Sequence, residues 1–461
     1  MITAHEIATA LRPALIEAPS VGPMRFRRAV VDSRKARRGD VFIALKGEHT
    51  DGHLYVDDAA RRGATAAIVE RRVDVEVAQY VVPDALVALQ SLARVRRQAR
   101  TKLKVVGVTG SVGKTTTKDL TAAVLATRYP TLKNEGNLNS EIGLPMVLLE
   151  ATQRHRRAVL EMGMWAPGEI ALLCEIAQPE VGIVTMVGPV HLERMGTIEA
   201  IEREKGALAE ALPEDGVAVL NADDPRVAAM ARRTQAHVIT YGLAPEADVR
   251  AEDIESHGLA GVRFTLVHGD ERAAVYSRLP GRALVSNALA AAAAGLVDGI
   301  ELDDIAQALS EAQVPSRLTA HPGPNGSTVV DDAYNASPAS MRAALDLLGE
   351  VRGRKVAVLG DMRELGSVER EAHTEIGRYA AQVADTIVAV GELGRWIGDA
   401  AIHAGHQDVH IVLEKAEVAP LLRGRLGPGD VVLLKASRAL ALETVREELT
   451  AGVEPEPEAV R

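Results

Sequence analysis

At 461 residues the chain is too long for one ordinary hydrophobic core, so two to four domains are expected. A net charge of −10 with no basic arm argues against a nucleic-acid partner, and the single Cys174 excludes an intrachain disulfide or a cysteine zinc cluster. No apolar run reaches the roughly 18 residues of a membrane span, and MITAHEIATALRPAL at the start reads as an amphipathic helix, without the basic start and apolar core of a signal peptide. A cytoplasmic monomer without membrane insertion is expected. Aromatic residues make up 3% of the chain, so the cores must rest on Ala, Val, Leu and Ile.

Residues 1–98 form a first, small mixed α/β unit. After the opening helix come short strands at Arg28–Asp32 and Val41–Leu45, the polar loop GEHTDGH, a helix over Tyr55–Gly63, a strand at Thr65–Val69 and a helix over Pro83–Arg100. Residues 99–315 form a second unit. Strands are expected at Lys104–Val108, Ala158–Met162, Gly182–Val187, Gly216–Leu220 and His237–Tyr241, with helical patterns between them. That alternation gives a mostly parallel sheet with helices on both faces. The run Asp248–Leu279 alternates instead and is broken at His257-Gly258 and His268-Gly269-Asp270, which reads as antiparallel hairpins. A helix over Ala283–Leu296 closes the unit. Near Pro315 the chain restarts as a third α/β unit, 316–461. Its strands are expected at Ser327–Asp331, Lys355–Leu359, Thr386–Val390, His410–Leu413 and Val431–Lys435, with a helix over Ala339–Leu348. It carries no glycine-rich nucleotide fingerprint, and its tail, 453–461, is expected to be disordered.

The stretch VVGVTGSVGKTTT, Val105–Thr117, organises the rest. Apolar β-formers lead into a glycine-spaced turn and then a helix. Gly110 and Gly113 let backbone N–H groups face an anion, Lys114 supplies a point charge for β- and γ-phosphates, and Thr115 offers a hydroxyl to Mg²⁺. Val108 stands where the strict phosphate-loop pattern has its first glycine. An ATP–Mg²⁺ site needs a second hard oxygen ligand, which parallel-sheet enzymes place at a neighbouring strand end. Glu161 in VLEMGM stands at such an end. His191 follows another strand end, and its spacing fits equally a loop histidine or a ligand. Lys205, beside Glu202 and Glu204, has the pattern of a solvated helix lysine. DDAYNASP and LLKASRA fit turn chemistry as well as a binding cleft. Cys174, in ALLCEIA, reads as core packing.

GVTGSVGKTTTKD, TLKNEGNLNSEIGLP, LEMGMWAPGEI, NADD, SNALAAAAAG, DDAYNASPASM, LGDMRELG and LLKASR follow in the order seen in the Mur ligase family, the ATP-dependent amide ligases of peptidoglycan precursor synthesis, and each resembles its counterpart there. VDSR and GDVFIALKGEHTDGH resemble a uridine-nucleotide domain of that family. EMGM, D-D-x-Y-N-x-x-P and the lack of a late D-N-P-[RK] motif resemble the members that add D-Ala-D-Ala to a UDP-muramoyl tripeptide. Ser140, Val190, Ala336-Ser337 and Ala436 depart from the commoner Asn, Ala, Ala-Asn and Gly.

The resemblance implies a three-domain α/β ligase. Residues 1–98 would bind UDP-N-acetylmuramoyl-tripeptide. Residues 99–315 would form a phosphate-loop ATPase-like parallel sheet with an antiparallel addition, and 316–461 a Rossmann-like domain. It implies that Gly110, Ser111, Val112, Gly113, Lys114, Thr115 and Thr116 bind ATP phosphates, with Lys114, His191 and Lys205 catalytic. Thr115 and Glu161 would hold one Mg²⁺, and His191 with a carbamylated Lys205 a second. Asn287, Arg317, Tyr334 and Asn335 would bind adenosine and ribose, with Asp361 nearby. Asp32, Ser33 and Arg34 would meet the UDP end, Asn137 and Asn139 of the asparagine-rich loop would bind substrate, and Lys435, Ser437 and Arg438 would face the D-alanyl-D-alanine side. Two other readings share the ATP loop. One is a related ligase that adds a diamino acid, or glutamates to folate. The other is a nucleotide switch that hydrolyses ATP without an amine acceptor.

Overall fold

The computed structural model describes residues 1–19, 25–47, 50–314 and 318–453. Its opening segment shows how local chemistry sets an element. Ile2–Thr3 pairs with Arg25–Phe26, and Thr3 then caps the helix Ala4–Leu11 reciprocally with Glu6. Ile7, Ala10 and Leu11 on that helix are buried.

Three larger sheets follow. Ala29–Val30, Val41–Ile43, Ala66–Val69 and Ala78–Val81 form a parallel four-stranded sheet. The last of these strands is absent from the sequence reading, because Ala-Gln-Tyr-Val lacks both alternation and an apolar run. The expected helix over Tyr55–Gly63 is shorter, Val56–Arg61, and is preceded by a 3₁₀ turn, Gly52–Tyr55. Glu48 and His49 of GEHTDGH lie outside the described residues.

The central sheet has nine strands. From one edge they run Thr131–Lys133, Arg157–Glu161, Lys104–Thr109, Val181–Val184, Val217–Asn221, His237–Gly242 and Val249–Ser256, all parallel. Val262–His268 and Glu271–Ser277 then add antiparallel, so the hairpins extend the parallel sheet. Thr131–Lys133 is an unexpected edge strand of half-buried residues, too short to show a period. The helix Ala283–Val297 carries a run of buried alanines, Ala288 and Ala290–Ala294. It packs on Lys114–Ala126 so closely that a Cβ on Gly295 would come within 2.7 Å of the Val124 side chain. Small residues thus replace aromatics as the means of tight packing.

The third sheet runs Thr319–Pro322, Thr328–Asp331, Val431–Lys435, Lys355–Gly360, Thr386–Val390 and Val409–Val412; all pairs are parallel except the first, an unexpected antiparallel edge. Ser337, at a departure noted above, caps the helix Pro338–Glu350 through a box with Ser340. Residues 454–461, most of the tail expected to be disordered, lie outside the described residues. Cys174 is buried, and burial pushes its thiol up to about 12, so it stays protonated core. No helix among the described residues is long and apolar enough to cross a membrane.

Candidate active site

The strand Lys104–Thr109 delivers the chain into a turn that only glycine permits at two positions. A Cβ on Gly110 (φ 149°) would lie 1.8 Å from Thr185 Oγ1, and one on Gly113 (φ 85°) 2.4 Å from Asn287 Oδ1. Neighbouring segments hold the turn. Ser111 N donates to Met186 O at 2.8 Å, Ser111 Oγ to Gly188 O at 2.9 Å, and Thr185 Oγ1 to Val112 O at 2.6 Å. Lys114 opens the helix Lys114–Ala126, and its Nζ donates to Gly110 O at 2.7 Å. Thr116 lies half-buried in the same first turn. Asn287 sits against the loop and accepts from Thr117 Oγ1 at 3.1 Å.

Glu161, 2% exposed at its strand end, gathers two motifs. Thr115 Oγ1 donates to one carboxylate oxygen and Asn139 Nδ2 to the other, both at 2.8 Å. Asn134, which sequence reading missed, fixes the asparagine loop to this strand. Its Oδ1 accepts from Glu161 N at 2.9 Å and its Nδ2 donates to Glu161 O at 3.1 Å. Asn137, by contrast, is exposed at the loop tip.

Lys205 overturns the solvated-face expectation. It is 2% exposed, on the helix Ile198–Glu210, and no carboxylate among the described residues lies within ion-pair distance of it. Burial, and then the charge of Lys114, push its pKa well below the usual lysine range. Glu202 does lie outward and pairs with Arg226 at 2.6 Å. Glu204, however, is buried and accepts from Gly168 N and Ile170 N, each at 2.7 Å.

His191 stands in the left-handed region (φ 54°), and its Nδ1 bonds the carboxylate of Glu364, itself left-handed (φ 64°) in the third unit. Burial lowers the histidine's pKa, opposed by Glu364 and assisted by Lys114 and Lys205. With Nδ1 engaged, Nε2 is left for a ligand. Glu364 carries no sequence signal: its contact spans 173 positions.

The loop bearing Glu364 is braced by His373, which is fully buried. Its Nδ1 donates to Glu369 O at 2.6 Å and its Nε2 accepts from Met362 N at 2.9 Å, an arrangement open only to neutral imidazole. Burial lowers its pKa. The unfolded chain therefore binds this proton more readily. The contribution is complete above the unfolded value of about 6.5 and is lost as pH falls, at no more than about 1.4 kcal/mol per pH unit. Urea unfolding at pH 7.5 and 5.5 should show a shallower pH dependence in His373→Gln than in the unsubstituted protein; equal slopes would contradict this account.

Other expected site residues serve local structure. Asp361 accepts from Leu393 N at 3.0 Å and Gly394 N at 2.9 Å, bracing the start of Arg395–His403. Lys435 is buried and paired with Asp332 at 2.6 Å, also reaching Asn335 O at 3.2 Å, so its ammonium is engaged inside the third unit. Ser437 is buried, with its N–H on Asp361 O at 2.8 Å. Arg438 is exposed, bonded to Glu443 at 2.6 Å, and lies 5.9 Å from the centre of the exposed Tyr334 ring. Asp32 caps Ser33–Lys35 and grips Arg34 with both oxygens at 2.9 Å, while Ser33 is buried. Arg317 lies outside the described residues.

Comparisons with known proteins cover nearly the whole chain. Residues 29–102 match the Mur ligase family catalytic domain, 108–295 the Mur ligase middle domain and 316–438 the Mur ligase, glutamate ligase domain. The UDP-N-acetylmuramoyl-tripeptide–D-alanyl-D-alanine ligase of Bacillus subtilis is 38% identical, covering 91% of this chain and 92% of its own. That of Escherichia coli is 36% identical over 90% and 91%. The crystal structure of MurF from Acinetobacter baumannii superposes with a TM-score of 0.89 at 34% identity, covering 97% of this chain and 98% of that one. MurF from Thermotoga maritima in complex with ADP gives 0.82 at 32% identity, over 92% and 97%.

Proposed function

Because the chain belongs to the Mur ligase family, we propose that it joins D-alanyl-D-alanine to UDP-N-acetylmuramoyl-tripeptide with ATP in peptidoglycan precursor synthesis. One observation supports the reading above others. The Glu161 carboxylate joins Thr115 of the phosphate loop to Asn139 of the asparagine-rich loop, so an ATP motif and a substrate motif share one anion.

The chemistry follows from what a carboxylate lacks. It is a poor electrophile, so an oxygen of the tripeptide's terminal carboxylate attacks the γ-phosphorus and ADP departs. The free amine of D-Ala-D-Ala then attacks the acyl phosphate carbonyl. The tetrahedral intermediate expels phosphate, and the amide remains. The main tasks of the protein are positioning and charge neutralisation. Loop N–H groups and Lys114 would hold the phosphates of ATP. Asn139 would orient the nucleotide peptide toward them.

The residues present suit Mg²⁺. Thr115 and Glu161 supply converging hard oxygens, and the buried Lys205, without an ion pair among the described residues, is suited to carry a carbamate, which with His191 would hold a second ion. When bound, Mg²⁺ neutralises phosphate charge and polarises the transferred phosphoryl group. Glu364 would keep His191 in one tautomer, and domain closure would shield the acyl phosphate from water.

Phosphate release tests the reading. With ATP, a UDP-muramoyl tripeptide carrying lysine or diaminopimelate, and D-Ala-D-Ala, one phosphate should appear per amide formed, and turnover should require all three. Sustained hydrolysis without the dipeptide would favour the switch. Faster release with a UDP-muramoyl dipeptide and a free diamino acid would assign the chain to the preceding step.

A further inference from the structure

The loop after Glu161 carries Trp165, whose indole is 48% exposed where a burial site would be expected for so large a ring. The loop itself is firmly held. Glu169 accepts from the backbone N–H groups of Trp165 and Ala166, and Glu204 grips Gly168 and Ile170 from the lysine helix. The indole lies with its ring centre 5.8 Å from that of His191, and the Arg194 guanidinium lies 4.7 Å from the indole centre. Imidazole, indole and guanidinium thus share one wall beside the reacting groups, close enough that Lys114 and Lys205 act on the pKa of His191.

Arg194 is exposed and forms no ion pair among the described residues, in a chain with 63 acidic side chains. What sets it apart from other exposed arginines without an ion pair, such as Arg203, is its place over the Trp165 ring beside His191. Stacking on an indole restricts the guanidinium and leaves its planar fork of donors open. A restrained fork with no internal carboxylate is suited to an external one.

Resting on the ligase reading above, we propose that Arg194, held by Trp165, receives a substrate carboxylate other than the one being activated, and so sets which peptide the site accepts. Two sources present that chemistry. One is a carboxylate of the nucleotide-linked peptide, such as the second carboxylate of a diaminopimelate residue. The other is the C-terminal carboxylate of the incoming dipeptide.

Steady-state kinetics with Arg194→Ala separate these sources. The nucleotide is supplied with diaminopimelate or with lysine as its third residue, and the acceptor as D-Ala-D-Ala or its C-terminal amide. Losing a charge-assisted pair should raise one KM roughly ten- to hundredfold, by more than kcat falls. A rise confined to the diaminopimelate nucleotide identifies that side-chain carboxylate. A rise shared by both nucleotides places the carboxylate in their common part. A rise for D-Ala-D-Ala but not for its amide identifies the dipeptide. Trp165→Leu should shift the same KM in the same direction by less, and Arg194→Lys, which keeps charge without the fork, gives the comparison if the alanine variant does not fold. Unchanged KM values in folded variants of an active enzyme overturn the inference alone. An unsubstituted enzyme inactive on every combination overturns the ligase reading and the inference with it.

Discussion

Lys205→Ala should lose at least a hundredfold in turnover while keeping its fold. An exposed lysine would behave otherwise: its loss should cost within about half a kcal/mol of stability and leave activity alone. Lys205 is not exposed. It is 2% accessible, without a carboxylate partner among the described residues, and its pKa is pushed well down by burial. An uncompensated buried ammonium is costly, so the site favours the neutral amine. A neutral amine attacks CO₂ and, losing a proton, becomes a carbamate, an anionic oxygen ligand suited to Mg²⁺. On the proposed reading, removing it would take away metal-directed oxygens, a loss expected to cost on the order of a hundredfold or more in rate. Short carboxylic acids added to the alanine variant should restore part of the rate by supplying oxygens in the vacated space. Carbon-13 NMR with labelled CO₂ gives a readout independent of turnover: a carbamate signal should appear in the unsubstituted protein and be missing in the variant. Full activity of Lys205→Ala at saturating ATP and Mg²⁺ would sink the assignment.

The contrast between Lys205 and Lys114 shows what a sequence can carry. The phosphate loop is legible because its requirements are local: Gly110 and Gly113 occupy backbone conformations with no room for a Cβ, and Lys114 follows at a fixed offset. The hairpin at Gly269-Asp270 was legible for the same reason, since a two-residue turn with positive φ at Gly269 joins Val262–His268 to Glu271–Ser277. Lys205 was misread from its neighbours. Glu202, Glu204 and Lys205 look alike as a run of charged residues, yet the first meets Arg226 at the surface, the second caps a loop and the third is buried. Lys205 lies four residues after Ile201 and three before Leu208, both buried, so the helical period itself places it on the covered face, and its charged neighbours masked that signal. Glu364 is the extreme case, reaching His191 from another unit. The edge strands Thr131–Lys133 and Thr319–Pro322 were missed because a short edge strand need not alternate. The roles proposed for Lys205 and His191 come from the resemblance to a family.

Lys114→Ala should lower kcat by on the order of a hundredfold or more with the fold intact. The expectation rests on where charge develops. As the γ-phosphoryl group moves to the tripeptide carboxylate, negative charge accumulates on phosphate oxygens that the loop N–H groups and one ammonium would meet. The loop would survive the substitution, because Ser111, Thr185 and Gly188 hold it independently of Lys114. A second consequence distinguishes an electrostatic role from a structural one. The Lys114 charge helps to lower the pKa of both His191 and Lys205. Without it, both groups hold protons to higher pH. If neutral His191 and deprotonated Lys205 are the working forms, the acid limb of the residual rate profile must move to higher pH in the variant. Lys114→Arg keeps the charge and should leave that limb close to its original position, even where the bulkier guanidinium fits the loop poorly and slows turnover. Near-normal turnover in a folded Lys114→Ala would remove the phosphate-loop assignment. A depressed rate with an unmoved acid limb would keep the loop but break the electrostatic link between Lys114 and the groups around His191.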